Sequence, residues 1–507
     1  MLDENRLPQG WVTLPITKVC SNLRGVTYSK NEVSNYPQNN FIPILRANNI
    51  DEFKLTFQDL VYVINKRVAE HQKIKKYDVL VAMSSGSKKV VGKTAQCLYH
   101  WNGSFGAFCG LLRPDQSIIN PKYFGYFFCT TSYRNLISEM ASGTNINNLK
   151  NEHFTKIYIP MPPILEQRRI VSKLEKLLSK VESCKDRLKK IPLILKRFRQ
   201  SVLASACSGR LTADWREKNP DVEPADKFLD RIKQDKKYLY DMLCEKAKLE
   251  NKKKPAMFRE NTEAINSNEI DIPDTWTWNR LVNISHIQGG VTKGRHFGNK
   301  KTIMLPYLRV ANVQDGFLDL SEIKEIEVLP EDKEKYKLQN GDILFTEGGD
   351  RDKLGRGTIW RDNIQNCIHQ NHIFRARVYS DSISPDYISL ATKSDYARTY
   401  FFENASQTVN LASINMTTIG NVPIALPPLE EQQEIVRRVE SLFKLADSIE
   451  ARYEKAKKYI EKLSQSILSK AFRGELVPQD SSDEPASVLL ELIRKDRAGE
   501  MPKNKKQ

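Results

Sequence analysis

Ile170, Leu174, Leu177, Val181, Cys184, Leu188, Ile191, Leu195, Phe198 and Val202 follow one another in a strict 4-3-4-3 alternation. The same alternation returns at Ile435, Val439, Leu442, Ala446, Ile449, Tyr453, Ala456, Ile460, Leu463 and Ile467. A sustained 3.5-residue period confines the apolar side chains to a narrow stripe, and two such stripes bury each other as a left-handed coiled coil. An amphipathic helix lying on its own domain is the alternative. Pro163 and Pro428 suit helix N-termini, Gly209 and Gly474 suit C-terminal stops, and Pro192 predicts a kink or break in the first helix. From Ile170 to Val202 a helix rises about 48 Å, against ~34 Å for one turn of duplex DNA. An antiparallel pair of such helices would hold two globular parts at opposite ends, as a ruler does.

The stripes belong to a longer duplication. Pro162-Pro163-x-x-Glu166-Gln167-x-x-Ile170-Val171 recurs, displaced by 265, as Pro427-Pro428-x-x-Glu431-Gln432-x-x-Ile435-Val436. Residues 162–211 and 427–476 share 17 identities in 50 positions without a gap, which excludes chance. The repeat extends to Leu7-Pro8-x-x-Trp11 with Ile272-Pro273-x-x-Trp276, to Arg46 and Asn49 with Arg309 and Asn312, to Asp78 with Asp342, and to Glu223-Pro-Ala225 with Glu484-Pro-Ala486. Each copy is a variable globular part, a more similar helical stretch and a short helix opened by Glu-Pro-Ala. Short apolar runs such as Asp59–Ile64, Asp78–Ala82 and Gly341–Thr346, bounded by Gly, Asn and Ser, predict strands and hence mixed α/β globular parts. The expected division is 1–160, first globular domain; 161–212, central helix; 213–271, helical linker; 272–425, second globular domain; 426–477, C-terminal helix; and 478–507, short helix and basic tail.

At 507 residues the chain has room for several domains, and its 79 Lys and Arg against 62 Asp and Glu leave a charge of +17. That excess favours a polyanionic partner, nucleic acid before a membrane surface. Met1–Arg6 lacks the apolar core of a secretory signal, no run is long enough to span a membrane, and eight scattered cysteines show no C-x-x-C pair. The expectation is a reduced, cytoplasmic setting with no metal site.

Catalytic patterns fail one by one. Gly86 to Lys93 places five residues between its glycines where a phosphate loop needs four. No N-P-P-[FY] run for an adenine methyltransferase is present, and His369-Gln-Asn-His372 has the wrong spacing for a helical zinc pair. What remains is a surface for binding. Ser84, Ser85, Ser87, Lys88, Lys89 and Lys93 occupy a Gly-bearing loop after a strand, and Arg351, Lys353 and Arg356 occupy its counterpart. Lys and Ser suit phosphates and Arg suits guanine, although a solvated hairpin tip would look similar. Arg46, Asn48, Asn49, Arg309 and Asn312 are the residue types that read base edges, but recurrence of one Arg and one Asn leaves a structural or phosphate-positioning role open. Trp215, without a counterpart, is either a packing anchor or a partner contact.

These residues resemble a known family, the specificity subunit (HsdS) of type I restriction-modification systems, over essentially the whole chain. Its marks are the proline pair leading to Glu-Gln-x-x-Ile-Val, the run from Leu195 to Trp215, and Gln465-Ser-Ile-Leu-Ser-Lys-Ala-Phe-Arg-Gly474. Leu45–Ile50, Ala82–Ser87 and Ser104–Cys109 are similar to a recognition domain of the enteric type IA group. The resemblance implies two tandem α/β target-recognition domains joined by an antiparallel two-helix coiled coil with pseudo-twofold symmetry, each domain reading half of a split double-stranded DNA site. The seam expected to hold the helices comprises Ile170, Leu174, Leu177, Leu195, Phe198 and Val202 with Ile435, Leu442, Ile460, Leu463 and Ile467. It further implies no catalysis and no cofactor in this chain, with S-adenosylmethionine, ATP and Mg belonging to two methyltransferase (HsdM) and two restriction/translocase (HsdR) partner subunits. A solitary methyltransferase or nuclease, and a coiled-coil adaptor for RNA or membrane, are the rival classes. Activity of the purified chain would favour the first, and loss of any preference for a bipartite duplex the second.

Overall fold

Proline decides where the first long helix stops. Ile164–Leu188 and Ile191–Cys207 are separate helices because Pro192 offers no N–H and its ring collides with the preceding turn. The second copy has Lys457 at the matching place, and Leu429–Phe472 runs unbroken for 44 residues. The computed structural model describes residues 7–51, 53–85, 87, 90–140, 147–265, 271–349, 354–407 and 412–499. They form two compact units, the first from 1–189 with 453–507 and the second from 190–452. Each unit therefore combines one globular part with helical segments from both copies of the repeat.

In the first unit Thr94–Gln96, Val79–Ala82, Cys109–Pro114 and Cys20–Arg24 make an antiparallel sheet in that order. A second sheet holds Ser104–Phe105, Phe41–Leu45, Val61–Ile64 and Val33–Ser34, its first two strands parallel. In the second unit the orders are Ser285–Gly289, Ile373–Val378, Ile343–Thr346, Gly357–Ile359, and Lys324–Val328, Ile303–Leu308, Ile368–His369. The predicted strands at 59–64, 78–82 and 341–346 thus appear, shortened by one or two residues at their starts. Val79–Ala82 and Ile343–Thr346 are buried at every position, which explains their continuous apolar character.

Within each unit the paired helices run antiparallel. In the first, Gln479, just beyond the long helix, donates to Glu166 at the start of Ile164–Leu188 (2.8 Å), and Arg169 grips Asp483 (2.6 and 3.1 Å). Ile170, Leu174 and Leu177 share a core with Ile460, Leu463 and Ile467. In the second, Thr212, just past Ile191–Cys207, donates to Glu431 at the start of the long helix (2.6 Å), and Phe198 and Val202 share a core with Ile435 and Leu442. Leu195 is buried as well. The same stripes also pack on the globular parts, so seam and domain face are one surface; Cys184 and Ile449 lie exposed.

The helix opened by the first Glu-Pro-Ala is not short: Ala225–Leu249 spans 25 residues, against 14 for Ala486–Gly499. No Gly or Pro interrupts it before Pro255. Its first N–H donates to Thr275 (Ala225 N to O, 3.1 Å), and the matching bond in the first unit joins Ala486 N to Gly10 O at 3.0 Å. Gly209 and Gly474 take the left-handed conformation (φ 74° and 76°), and an added Cβ would come within 2.5 Å of Pro273 and 2.3 Å of Pro8. Only glycine fits at either place.

Candidate nucleic-acid interface

The Arg-x-x-Asn turns are internal fasteners. Asn49 Oδ1 accepts from Arg46 N (2.9 Å), and its Nδ2 donates to the carbonyls of Thr56 (3.1 Å) and Gln58 (2.8 Å). Asn312 repeats this with Arg309 N (2.9 Å), Asp319 O (2.8 Å) and Glu322 O (3.0 Å). With both amides buried and their groups engaged, Asn49 and Asn312 close a loop, the structural role that their recurrence had left open beside base reading. Arg46 donates to Asp59 O (2.6 Å) and Arg309 to both the carbonyl (3.2 Å) and the carboxylate (3.0 Å) of Glu322, so their guanidinium groups also turn inward. Asn48, between them, faces solvent.

The loop residues lie elsewhere. Ser84–Ser85 pairs antiparallel with Asn147–Asn148, and Gly348–Gly349 pairs with Ala412–Ser413, to which Ser406–Gln407 adds a third strand, so a matching antiparallel ribbon stands beside the main sheet in both units. Ser84, Ser85 and Lys93 are half-buried and Ser87 is exposed. Arg356 is half-buried and donates to Gln314 Oε1 at 3.1 Å. Lys88, Lys89, Arg351 and Lys353 lie outside the described residues.

Next to each ribbon is a turn that the duplication also repeats. Val26 N donates to Phe105 O (2.8 Å), Ala107 N to Val26 O (3.0 Å) and Gly106 N to Leu45 O (3.0 Å). Val291, Asn371 and Gln370 make the corresponding bonds to His369 O (2.8 Å), Val291 O (2.9 Å) and Leu308 O (3.0 Å). The signal was present as a displacement of 264 between Ser104–Cys109 and Ile368–Ile373, but the side chains match too poorly to announce it. His369 takes the buried place of Phe105, where burial and the nearby Arg375 lower its pKa to about 3. His372 instead reaches the Glu347 carboxylate, so the two histidines serve different partners. Among the described residues no group of three or more His, Cys, Asp or Glu is placed to hold a metal, and all eight thiols are free.

Two buried ion pairs stiffen the sheets beneath. Arg113 grips Asp78 with Nε and Nη2 (2.9 and 2.7 Å), and Arg377 grips Asp342 (both 2.7 Å). Burial raises the Asp78 carboxyl despite the opposing hydrogen bonds from Arg113. The invariant-spaced Trp and Glu of the repeat join each globular part to its helix: Trp11 Nε1 donates to Glu166 (3.0 Å) and Trp276 Nε1 to Glu431 (2.8 Å). Gln167 and Gln432 each accept from the N-cap N–H of a domain helix, Asn120 (2.7 Å) and Ser384 (2.8 Å). Arg216 adds a charge to Glu431, and Asp214 binds Arg438 (2.6 and 3.1 Å). The half-buried Trp215 sits between these two anchoring residues.

Residues 8–193 and 273–458 both match the Type I restriction modification DNA specificity domain. The chain belongs to the type I restriction specificity-subunit family. It is 36% identical to the EcoKI specificity subunit of Escherichia coli K12 over 98% of this chain and 97% of that one. The StySPI specificity subunit of Salmonella potsdam is 37% identical over the same shares. Among solved structures, the HsdS subunit from Thermoanaerobacter tengcongensis matches with a TM-score of 0.53 at 18% identity, covering 92% of this chain and 98% of that one. A chain from a type I R-M system, described with its complex assembly and conformational transition, matches at 0.57 with 17% identity, covering 92% and 99%. These likenesses establish the architecture of two α/β domains with long helices. As a specificity subunit, the chain confers DNA sequence specificity and is not the catalyst. No described helix is long and apolar enough to cross a membrane.

Proposed function

We propose that this specificity subunit reads a bipartite, asymmetric duplex DNA site, one half-site per globular domain, with the paired helices setting the gap. The observation that carries the reading is one backbone scaffold built twice with different residues along its ribbon: Ser84–Ser85 in one unit, Gly348–Gly349 in the other. Two copies of one reader would need such divergence to recognise two different half-sites. The six-segment division of the chain given above is part of the proposal.

The subunit also scaffolds, in the cytoplasm, two methyltransferase subunits supplied with S-adenosylmethionine and two restriction/translocase subunits using ATP and Mg. Support for docking comes from Leu193, Ile194 and Leu445, large apolar side chains left more than half exposed on the helices of the second unit.

Coexpression with the methyltransferase subunit of its own locus, followed by mapping of methylated adenines in host DNA, tests the reading. A split, asymmetric motif is expected; a contiguous motif, or none, overturns it. Removing one heptad from both long helical stretches should change the permitted gap, and an unchanged gap would sink the ruler.

A further inference from the structure

The turns beside the ribbons present side chains of opposite character from one backbone. In the first unit Met83 N donates to Phe108 O (2.9 Å) and Leu149 N to Met83 O (2.8 Å). In the second, Glu347 N donates to His372 O (3.0 Å) and Ile414 N to Glu347 O (2.7 Å). Residues 83 and 108 are thereby held where 347 and 372 are held, with every tie made by main-chain atoms. The side chains are left free to vary. Phe108 is 73% exposed, an unusual state for a phenyl ring, whereas the His372 side chain is 52% exposed and joined to the Glu347 carboxylate.

A phosphate-seeking segment adjoins the second turn. Val291, bonded to both ends of the turn, opens Thr292–Lys301, which carries Lys293, Arg295, His296, Lys300 and Lys301 and no acidic residue. Arg295 is anchored to Asp332 at 2.7 Å, and Lys293, Lys300 and Lys301 are exposed.

We propose that these turns are base-reading elements, working beside the Ser84 and Gly348 ribbons. In the second unit Glu347, held in place by the Nδ1–H of His372, accepts from the exocyclic amine of a cytosine, while the 292–301 segment holds neighbouring phosphates. In the first unit Phe108 meets the methyl group of a thymine. A purely structural role does not account for the pairs, because the turns are closed by backbone bonds and both outer side chains stand in solvent.

This assignment rests on the DNA-recognition reading, and its test separates the two. Full-length chain, wild type and carrying Phe108→Ala, Glu347→Gln or His372→Ala, is used to select duplexes from a randomised pool, and its salt dependence on a non-specific duplex is measured. Wild type should return a split motif. Glu347→Gln and His372→Ala should lose roughly tenfold or more in discrimination at one G·C pair of one half-site. Phe108→Ala should relax one A·T pair of the other half-site, with the salt slope unchanged in all three. Phe108→Ala and His372→Ala remove exposed side chains and leave the core intact. Unaltered motifs in variants that bind as tightly as wild type overturn the assignment, whereas a wild type that selects no motif overturns the DNA-recognition reading instead.

Discussion

Acidification should weaken the second unit through one side chain, His369. Its Nδ1 lies 2.9 Å from the carbonyl of Ile373, and since a carbonyl only accepts, Nδ1 carries the proton. Nε2 is buried without a partner, so a second proton has nowhere favourable to go. The folded pKa of about 3 lies below the ordinary 6.5, because burial comes first among the causes and the Arg375 charge second. A depressed histidine contributes stability that is complete above pH 6.5 and is lost as pH falls from 6.5 towards 3, since the unfolded chain binds the proton first. At pH 5 the difference between those two pKa values amounts to about 2 kcal/mol, rising to roughly 5 kcal/mol at the acid limit. The first unit suggests the control, because Phe105 fills the matching position opposite Leu45 as His369 does opposite Leu308. His369→Phe should therefore fold. Hydrogen exchange of peptides covering 368–378, in wild type and variant at pH 8 and pH 5, gives a double difference in opening free energy. His286, lowered to about 4 chiefly by burial, titrates in the same sense but is common to both proteins and cancels. A double difference near zero would refute the account.

Other outcomes follow from the buried fasteners. Glu431→Ala strands the indole of Trp276, the hydroxyl of Thr212 and the Arg216 charge, at a cost of about 3–5 kcal/mol, visible in denaturant unfolding. Asn312→Ala leaves Arg309 N and Asp319 O unpaired and the Glu322 carbonyl with Arg309 alone, and should cost about 2–4 kcal/mol while leaving the selected DNA motif unchanged; a changed motif would return it to the base-reading residues. Lys457→Pro should cost about 3 kcal/mol or more by breaking Leu429–Phe472, whereas Pro192→Lys should raise the helical content measured by circular dichroism.

Regular geometry was legible in the sequence and individual contacts were not. The heptad stripe, the break at Pro192 and the stops at Gly209 and Gly474 all depend on local rules of helix geometry, which act wherever the residues occur. The role of Arg46 and Asn49 depends on carbonyls seven to thirteen residues away, and no spacing rule announces that a buried amide will close a loop. Recurrence in both copies was the correct warning, since what a duplicated reader keeps is its frame. The equivalence of Phe108 and His372 was not legible, because the two side chains differ. It emerges only once the backbone bonds of the two turns are laid side by side.

The bond from Ala486 N to Gly10 O has a topological meaning. Its twin, Ala225 to Thr275, closes a stretch of chain that leaves the helix and returns to the next globular part, so two matched bonds join residues at very different separations along the chain. A permuted protein that links the end of Ala486–Gly499 to residue 7 and begins within 250–271 should keep every contact described in either unit. The order of the two globular parts along the chain would then be reversed while each unit keeps its own internal bonds.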